Sequence, residues 1–264
     1  MNAAHTSGTG PSSSATGDGP PPVRSAWPRP VRPPEDDEGG PTRYVLPLVV
    51  RIERAEPPAR TDALETASRA VLTLLADERT TADDGEWAKP VRLWEERGIR
   101  KVVRRARGAE WRRAEALPGL TVTGRTAQVR VFPPVPLDDW PKDLARLQVS
   151  GTDLSDPEPP AAPADGLPVL WLNPELEMSA GKAMAQAAHG AQLAWWELDG
   201  TARARWRDAG FALAARTAGA EHWAQLAADG GGLPVVHDAG LTEIAPGKTV
   251  AVDGVARIAS LPPR

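Results

Sequence analysis

The chain has 264 residues, 41% of them hydrophobic and 25% charged, and a formal net charge of −4 at pH 7. This suffices for one large or two small globular domains, and it carries no general bias toward nucleic acid. The absence of cysteine excludes disulfides, a thiol nucleophile and zinc–thiolate sites, and four scattered histidines argue against a histidine-based metal centre.

Met1 to Pro41 is rich in Ser, Thr, Gly and Pro, with nine prolines and the acidic run Glu35-Asp36-Asp37-Glu38. Too little apolar surface is available there to offset the entropy of ordering, so a disordered tail is expected, with Trp27 read as incidental. The start lacks a hydrophobic signal core, and no apolar run reaches the length of a membrane span. A cytoplasmic protein with no membrane partner is expected.

Order is expected from Tyr44. Tyr44 to Ile52, YVLPLVVRI, has the β-branched richness of a strand, with Pro47 suggesting an edge position or a bulge. After Pro57-Pro58, Thr61 is a candidate cap for a helix in which Leu64, Ala67, Val71 and Leu74 recur at helical spacing. A segment around Trp87 to Trp94 follows, then a strand over Ile99 to Val103, a short helix over Trp111 to Leu117 and a strand over Gln128 to Phe132. Leu144 to Val149 is a candidate fourth strand. Asp156 to Gly166, DPEPPAAPADG, reads as a semi-rigid linker.

The second half repeats this order. Val169 to Leu172 is a strand, then come the loop Asn173 to Glu177 and a helix over Met178 to Trp196. Arg203 to Trp206 leads to a strand over Phe211 to Arg216, a helix over Glu221 to Ala228, a Gly230-Gly231-Gly232 turn, and strands at Leu233 to Val236 and Thr249 to Val252. Trp94 and Gly98 share the spacing W-x-x-x-G with Trp206 and Gly210, and each pair is followed by Gly-Ala-Glu and a further tryptophan, Trp111 or Trp223. Alanine-rich sequences produce such matches by chance, but the agreement in element order favours duplication. The expected fold class is α/β: a small mixed β-sheet flanked by helices in three layers, α/β/α, as two tandem copies forming a pseudo-dimer. The corresponding division is a tail over 1–41, a first α/β domain over 42–155, the linker over 156–166 and a second α/β domain over 167–264.

On the helix that follows Met178, Met178, Lys182, Gln186 and His189 fall on one stripe, and Ala183, Ala187, Ala191 and Ala194 form a small-residue face able to lie close to a sheet. Ser179 is a plausible N-cap, and the amides behind it would favour an anion. Lys182, one residue after Gly181, reads as a phosphate or carbonyl contact, or else as a solvated surface lysine. His189 is a site member or a core histidine. A second stretch, His237-Asp238-Ala239-Gly240-Leu241-Thr242-Glu243-Ile244-Ala245-Pro246-Gly247, leaves a buried strand, and its carboxylate needs a cation, amides or water. Asp238 is thus a candidate base for water or a turn cap freed by Gly240, and Thr242 a water or oxyanion contact or a simple cap.

The two motifs together, G-K-x-x-A-Q-x-x-H and D-A-G-L-T-E-I-x-P-G, resemble the type 2 peptidyl-tRNA hydrolases of archaea and eukaryotes over Leu167 to about Ala256. The resemblance implies hydrolysis of the ester joining a peptide to the 3′ end of tRNA, with peptidyl-tRNA as partner and no cofactor or established metal requirement. Lys182, His189, Asp238 and Thr242 are implied as the catalytic set, with Met178, Gly181, Gln186 and Gly240 lining the substrate. No serine nucleophile elbow, phosphate-binding loop or carboxylate metal cluster is visible, so direct water attack fits these residue types. Family members commonly pair as homodimers, and a fused second copy would supply that contact within one monomeric chain.

Two departures stand against the pattern. His237 occupies a place usually held by arginine, and Asn173-Pro174-Glu175-Leu176-Glu177 stands where the approach to the first helix is usually basic or polar; Leu167 to Arg264 carries eight Lys/Arg against ten Asp/Glu. In compensation, Gly98 to Arg113 holds seven basic residues and one acid. With Trp111 embedded among Arg100, Lys101, Arg104, Arg105 and Arg107, the run suits an RNA strand, or else the solvated face of a strand and helix. The first half lacks the catalytic stripe, with Val131-Phe132-Pro133-Pro134 expected where the aspartate motif would stand. A non-catalytic RNA- or protein-binding module and a small-ester esterase or amidase remain the alternatives.

Overall fold

A computed structural model describes residues 43–228, 232–240 and 243–263. The expected tail, most of the glycine turn and Thr242 lie outside them.

The first half comprises β1 (Tyr44–Arg51), α1 (Arg60–Leu75), α2 (Glu78–Thr81), α3 (Ala88–Glu96), β2 (Lys101–Ala106), α4 (Gly108–Glu115), β3 (Leu120–Thr123), β4 (Gln128–Val131), β5 (Val135–Pro136) and α5 (Lys142–Ala145). Its sheet runs β2-β1-β4-β3, with β5 beside the start of β1. The second half comprises β6 (Val169–Leu172), α6 (Ala180–Glu197), α7 (Gly200–Asp208), β7 (Ala214–Thr217), α8 (Ala220–Leu226), β8 (Val235–Asp238), β9 (Gly247–Asp253) and a closing 3-10 turn, Val255–Ser260. Its sheet runs β7-β6-β9-β8. Both sheets are mixed and helix-flanked, and their sense of pairing agrees strand for strand. β1 is parallel to β2 and antiparallel to β4, as β6 is parallel to β7 and antiparallel to β9, and an antiparallel partner closes each.

The two long helices lie between the sheets. They pack most extensively on each other, each also lies on its own sheet, and each reaches the sheet of the other half, α1 touching β7 and α6 touching β2. One apolar cluster runs through both halves, from Leu46 and Leu48 through Ala183, Ala187 and Ala191 to Val250 and Val252. The expected alanine face is therefore the buried one. Gly190 takes this furthest, since a Cβ there would lie 2.9 Å from Val250 and 3.2 Å from Val252. Smaller clusters cover the outer faces: Trp111, Ala114, Phe132 and Leu144 on the first sheet, and Trp223, Leu226 and Ala218 on the second.

The repeated tryptophans hold matching places. Trp94 and Trp206 are both fully buried, and each donates its indole N–H to a carbonyl six residues on, that of Arg100 or Ala212, across a glycine at positive φ.

Four expectations are corrected. Pro47 lies in a central strand: it stands opposite Val102 of β2, while its carbonyl accepts from Phe132 just past the end of β4, where the ladder needs no N–H from residue 47. Leu144 to Val149 contributes only an isolated bridge at Gln148, because the turn after Pro141 becomes α5 and buries Leu144 and Leu147. Thr61 is the second residue of α1 and not its cap; Asp156 from the linker takes both its amide and its hydroxyl, so part of that linker is docked. The short, half-exposed strand β3 escaped detection, and with it in place the topological counterpart of the Asp238 segment is the β3–β4 connection, not Val131 to Pro134.

Candidate functional site

β8 delivers Asp238 to the edge of the second sheet, with the adjoining β9 running back from Gly247. Gly240 allows the turn: its φ is +75°, and a Cβ there would meet Pro246 at 2.5 Å. Its amide donates to Asp238 Oδ1 at 2.8 Å. Across from this turn stands the start of α6. Ser179 is the N-cap as expected, its hydroxyl accepting from the Lys182 amide. The returning loop also holds this helix end, because the Glu243 carboxylate accepts from the Ser179 amide and hydroxyl at 3.0 and 2.7 Å. The N-terminal anion foreseen at this helix is thus supplied by the protein itself.

Lys182 Nζ donates to Asp238 Oδ2 at 2.6 Å, and Gln186 Nε2 donates to the same oxygen at 2.6 Å. Gln186 is in turn fixed by Thr249, whose hydroxyl donates to Gln186 Oε1 at 2.7 Å. The side chains of Lys182 and Asp238 are only 11% and 10% exposed. Removing two charges from water is costly, so a nearly buried pair is stable only with excellent geometry and further hydrogen bonds, which Gln186 and Gly240 contribute here.

The structure therefore joins Lys182, Gln186, Asp238 and Gly240 from the expected set and adds Thr249 and Glu243. Thr249 looked like an ordinary strand residue, and only its place on β9 beneath Gln186 reveals its part. Glu243 was within the motif, and its reach to Ser179 depends on the loop's return. Met178 is half-buried against the core. The Gly181 amide donates to the hydroxyl of Thr152, in the segment joining the halves.

His189 faces the other way. Burial above all, with Lys101 and Lys182 nearby, drives its pKa well below 6.5, and its partner is the Ile99 backbone of the first half. Its Nε2 is buried with no hydrogen-bond partner. The imidazole is thereby held neutral at the junction between halves and outside the hydrogen-bonded cluster around Asp238.

The basic run of the first half is also largely turned inward. Lys101 is buried at 7% exposure, its ammonium bonded to Gln192 of α6 at 2.6 Å and lying over the Trp94 ring. Burial pushes its pKa well down, against the pull of Glu95. Trp111 is 2% exposed within the outer core. Arg104 binds the carbonyls of Ala145 and Leu147, and Arg105 that of Ser150 and the Gln148 side chain. Arg100 and Arg107 are half-buried. This corrects the picture of an open basic strip with a stacking ring: alternate strand residues pack on α6, and the helix after them buries its tryptophan.

Among the described residues no group of three or more His, Asp or Glu is placed to hold a metal, and no helix is long and apolar enough to cross a membrane.

A mixed sheet that presents a nearly buried lysine–carboxylate pair, buttressed by an amide and a hydroxyl, defines an α/β protein with a polar site at the strand ends. Residues 168–256, the C-terminal part of the chain, match the family model for peptidyl-tRNA hydrolase PTH2. The resemblance carried by the two motifs is shown over that part. No curated protein and no solved structure matches the chain.

Proposed function

We propose that the C-terminal half is a peptidyl-tRNA hydrolase site that cleaves the ester between a peptide, or an N-blocked aminoacyl group, and the 3′ end of tRNA. The observation that carries this reading is the nearly buried Lys182–Asp238 pair within the matched segment. Burying an ion pair carries a desolvation cost that apolar residues of similar volume would avoid, so its presence here supports a use beyond folding.

Asp238 is the residue to orient the attacking water. A carboxylate has about four acceptor positions; Oδ1 takes the Gly240 amide and keeps capacity for a water. Lys182 then stabilises negative charge developing on the ester carbonyl oxygen as water adds and gives up a proton to Asp238, and that proton passes to the ribose oxygen as the ester bond breaks. Gln186, held by Thr249, keeps Asp238 Oδ2 in register. Thr242 lies outside the described residues and is proposed as a further contact to the water or oxyanion. Substrate contacts are proposed for Gln186 and Gly240.

The first half is proposed as a non-catalytic second copy. The shared strand order and the two matched tryptophan devices support this reading, with the contact between α1 and α6 replacing a homodimer interface. A single chain is then the functional unit.

The test is a deacylation assay on N-blocked aminoacyl-tRNA with the parent chain and Asp238→Ala. Turnover abolished in the variant is expected. Binding of tRNA without turnover in the parent would establish the non-catalytic module instead, and turnover of small esters alone would establish an esterase.

A further inference from the structure

A pocket of about 270 Å³ opens on the first half, away from the Lys182–Asp238 pair. Its walls include Trp87, Phe132, Pro90, Pro133, Pro134 and Pro141. Aromatic rings beside proline rings form the kind of surface that accepts a polyproline segment, whose fixed φ makes it cheap to bind. Trp87 is 2% exposed, and its indole N–H is buried without an acceptor among the described residues. A buried tryptophan normally finds an acceptor. Glu86 is the acid in the wall, and exposed Asp83, Asp84, Asp138 and Asp139 lie within a few residues of wall residues along the chain.

The chain holds a segment of matching chemistry. Between Asp18 and Glu35 there is no acid, and Val23 to Pro34, VRSAWPRPVRPP, carries Arg24, Arg29 and Arg32 among four prolines, with Trp27 near its centre. The chain enters the described structure beside the pocket. The Arg43 carbonyl accepts from the Leu137 amide, and Tyr44 and Val45 pair with Pro136 and Val135, the latter a pocket residue. Followed backward from Arg43, the chain sets out from beside Leu137. Arg43 lies sixteen positions after Trp27, a reach of up to about 50 Å, ample for return to the groove.

We infer that Val23 to Pro34 docks in cis on this groove, with Trp27 and its flanking prolines against Trp87, Phe132 and the proline walls, and with Arg24, Arg29 and Arg32 against Glu86 and these exposed acids. Trp27 is then an anchor, and the first half has a binding surface of its own.

Because the chain has no cysteine, two nitroxide labels can be placed at Ala26→Cys and at exposed Lys89→Cys in the full chain, and their separation read by pulsed electron resonance. The expected result is a short, narrow distance distribution that persists on dilution with unlabelled chain. Trp27→Ala, and separately Glu86→Lys, should spread it into the broad distribution of a free segment. A broad distribution in the parent overturns the proposal, as does a narrow one that survives Trp27→Ala. A short distance that vanishes on dilution with unlabelled chain also overturns it, assigning the groove to the arm of a second copy.

Discussion

Asp62 and Lys182 are each the third residue of a central helix, and each reaches the connection between two antiparallel strands of its own sheet, with opposite charge. In the second half the helix carries the cation and the connection carries the carboxylate, Asp238. In the first half the helix carries the carboxylate, and the β3–β4 connection answers with main-chain donors: Asp62 Oδ2 accepts from the Thr126 amide, from the Ala127 amide at 2.8 Å and from the Thr126 hydroxyl at 3.0 Å. One geometry thus serves a polar site in one place and a clasp between helix and hairpin in the other.

The Lys182–Asp238 pair is expected to separate catalysis from stability. Asp238→Asn should lower the deacylation rate roughly 10²- to 10⁴-fold, the range for a lost acid–base group. Lys182→Met leaves a nearly buried carboxylate without its cation, a loss of about 3 kcal/mol in urea denaturation. The double variant Lys182→Met/Asp238→Leu should recover most of that stability and none of the activity. Recovery of turnover in the double variant would refute the assigned roles.

Thr249→Val removes the hydroxyl that fixes Gln186 while nearly preserving shape. The loss of one hydrogen bond, about 1 kcal/mol, corresponds to a roughly fivefold fall in rate if it is felt at the transition state. The fall should appear in kcat with KM little changed, and steady-state kinetics would show it.

Asp62→Asn should cost about 1–3 kcal/mol of stability, because main-chain donors lose their ionised acceptor. Burial pushes this carboxyl upward, but the main-chain donors of Thr126, Ala127 and Arg125 and the Thr126 hydroxyl together leave its pKa below the ordinary 3.8. With the folded value depressed, its contribution is present above pH 3.8 and fades as pH falls through the folded value. Urea midpoints against pH should show that acid limb shrinking in the variant, with kcat unaffected at neutral pH.

His189 makes the protein acid-sensitive in a higher range. Its folded pKa lies well below 6.5, chiefly from burial, so the unfolded chain binds the extra proton as pH falls below that value, and folding loses stability from there downward. Above pH 6.5 both states are neutral and the group contributes no slope. His189→Gln should flatten the melting temperature between pH 6.5 and 5. An unchanged slope would show that the imidazole is reached by water.

The contact between α1 and α6 predicts a monomer. Sedimentation equilibrium should return one chain mass, 28.1 kDa, and an obligate dimer would overturn the internal pairing.

Much was legible in advance where one residue's neighbours in sequence settle its environment. The stripe of Lys182 and Gln186 and the alanine face behind it follow from helical period alone, and Asp238 leaving Val236 for Gly240 had to find donors close by. The turn at Gly240 likewise needs a residue that accepts positive φ.

Tertiary packing decided the rest, because periodicity tells which residues share a face and not what covers that face. Lys101 and Trp111 sit in a run that reads as an exposed basic strip, yet α6 lies over one and the outer cluster encloses the other. His189 shares a helix stripe with Lys182, but the first half closes over it and ties it to Ile99. Thr249 became a site residue only when β9 was laid beside β8, and Pro47 became central only when strands from ~50 and ~80 residues away flanked it on both sides. Such neighbours come from distant parts of the chain, and the energy that selects them, burial of apolar surface shared by both halves, is non-directional and leaves no local mark.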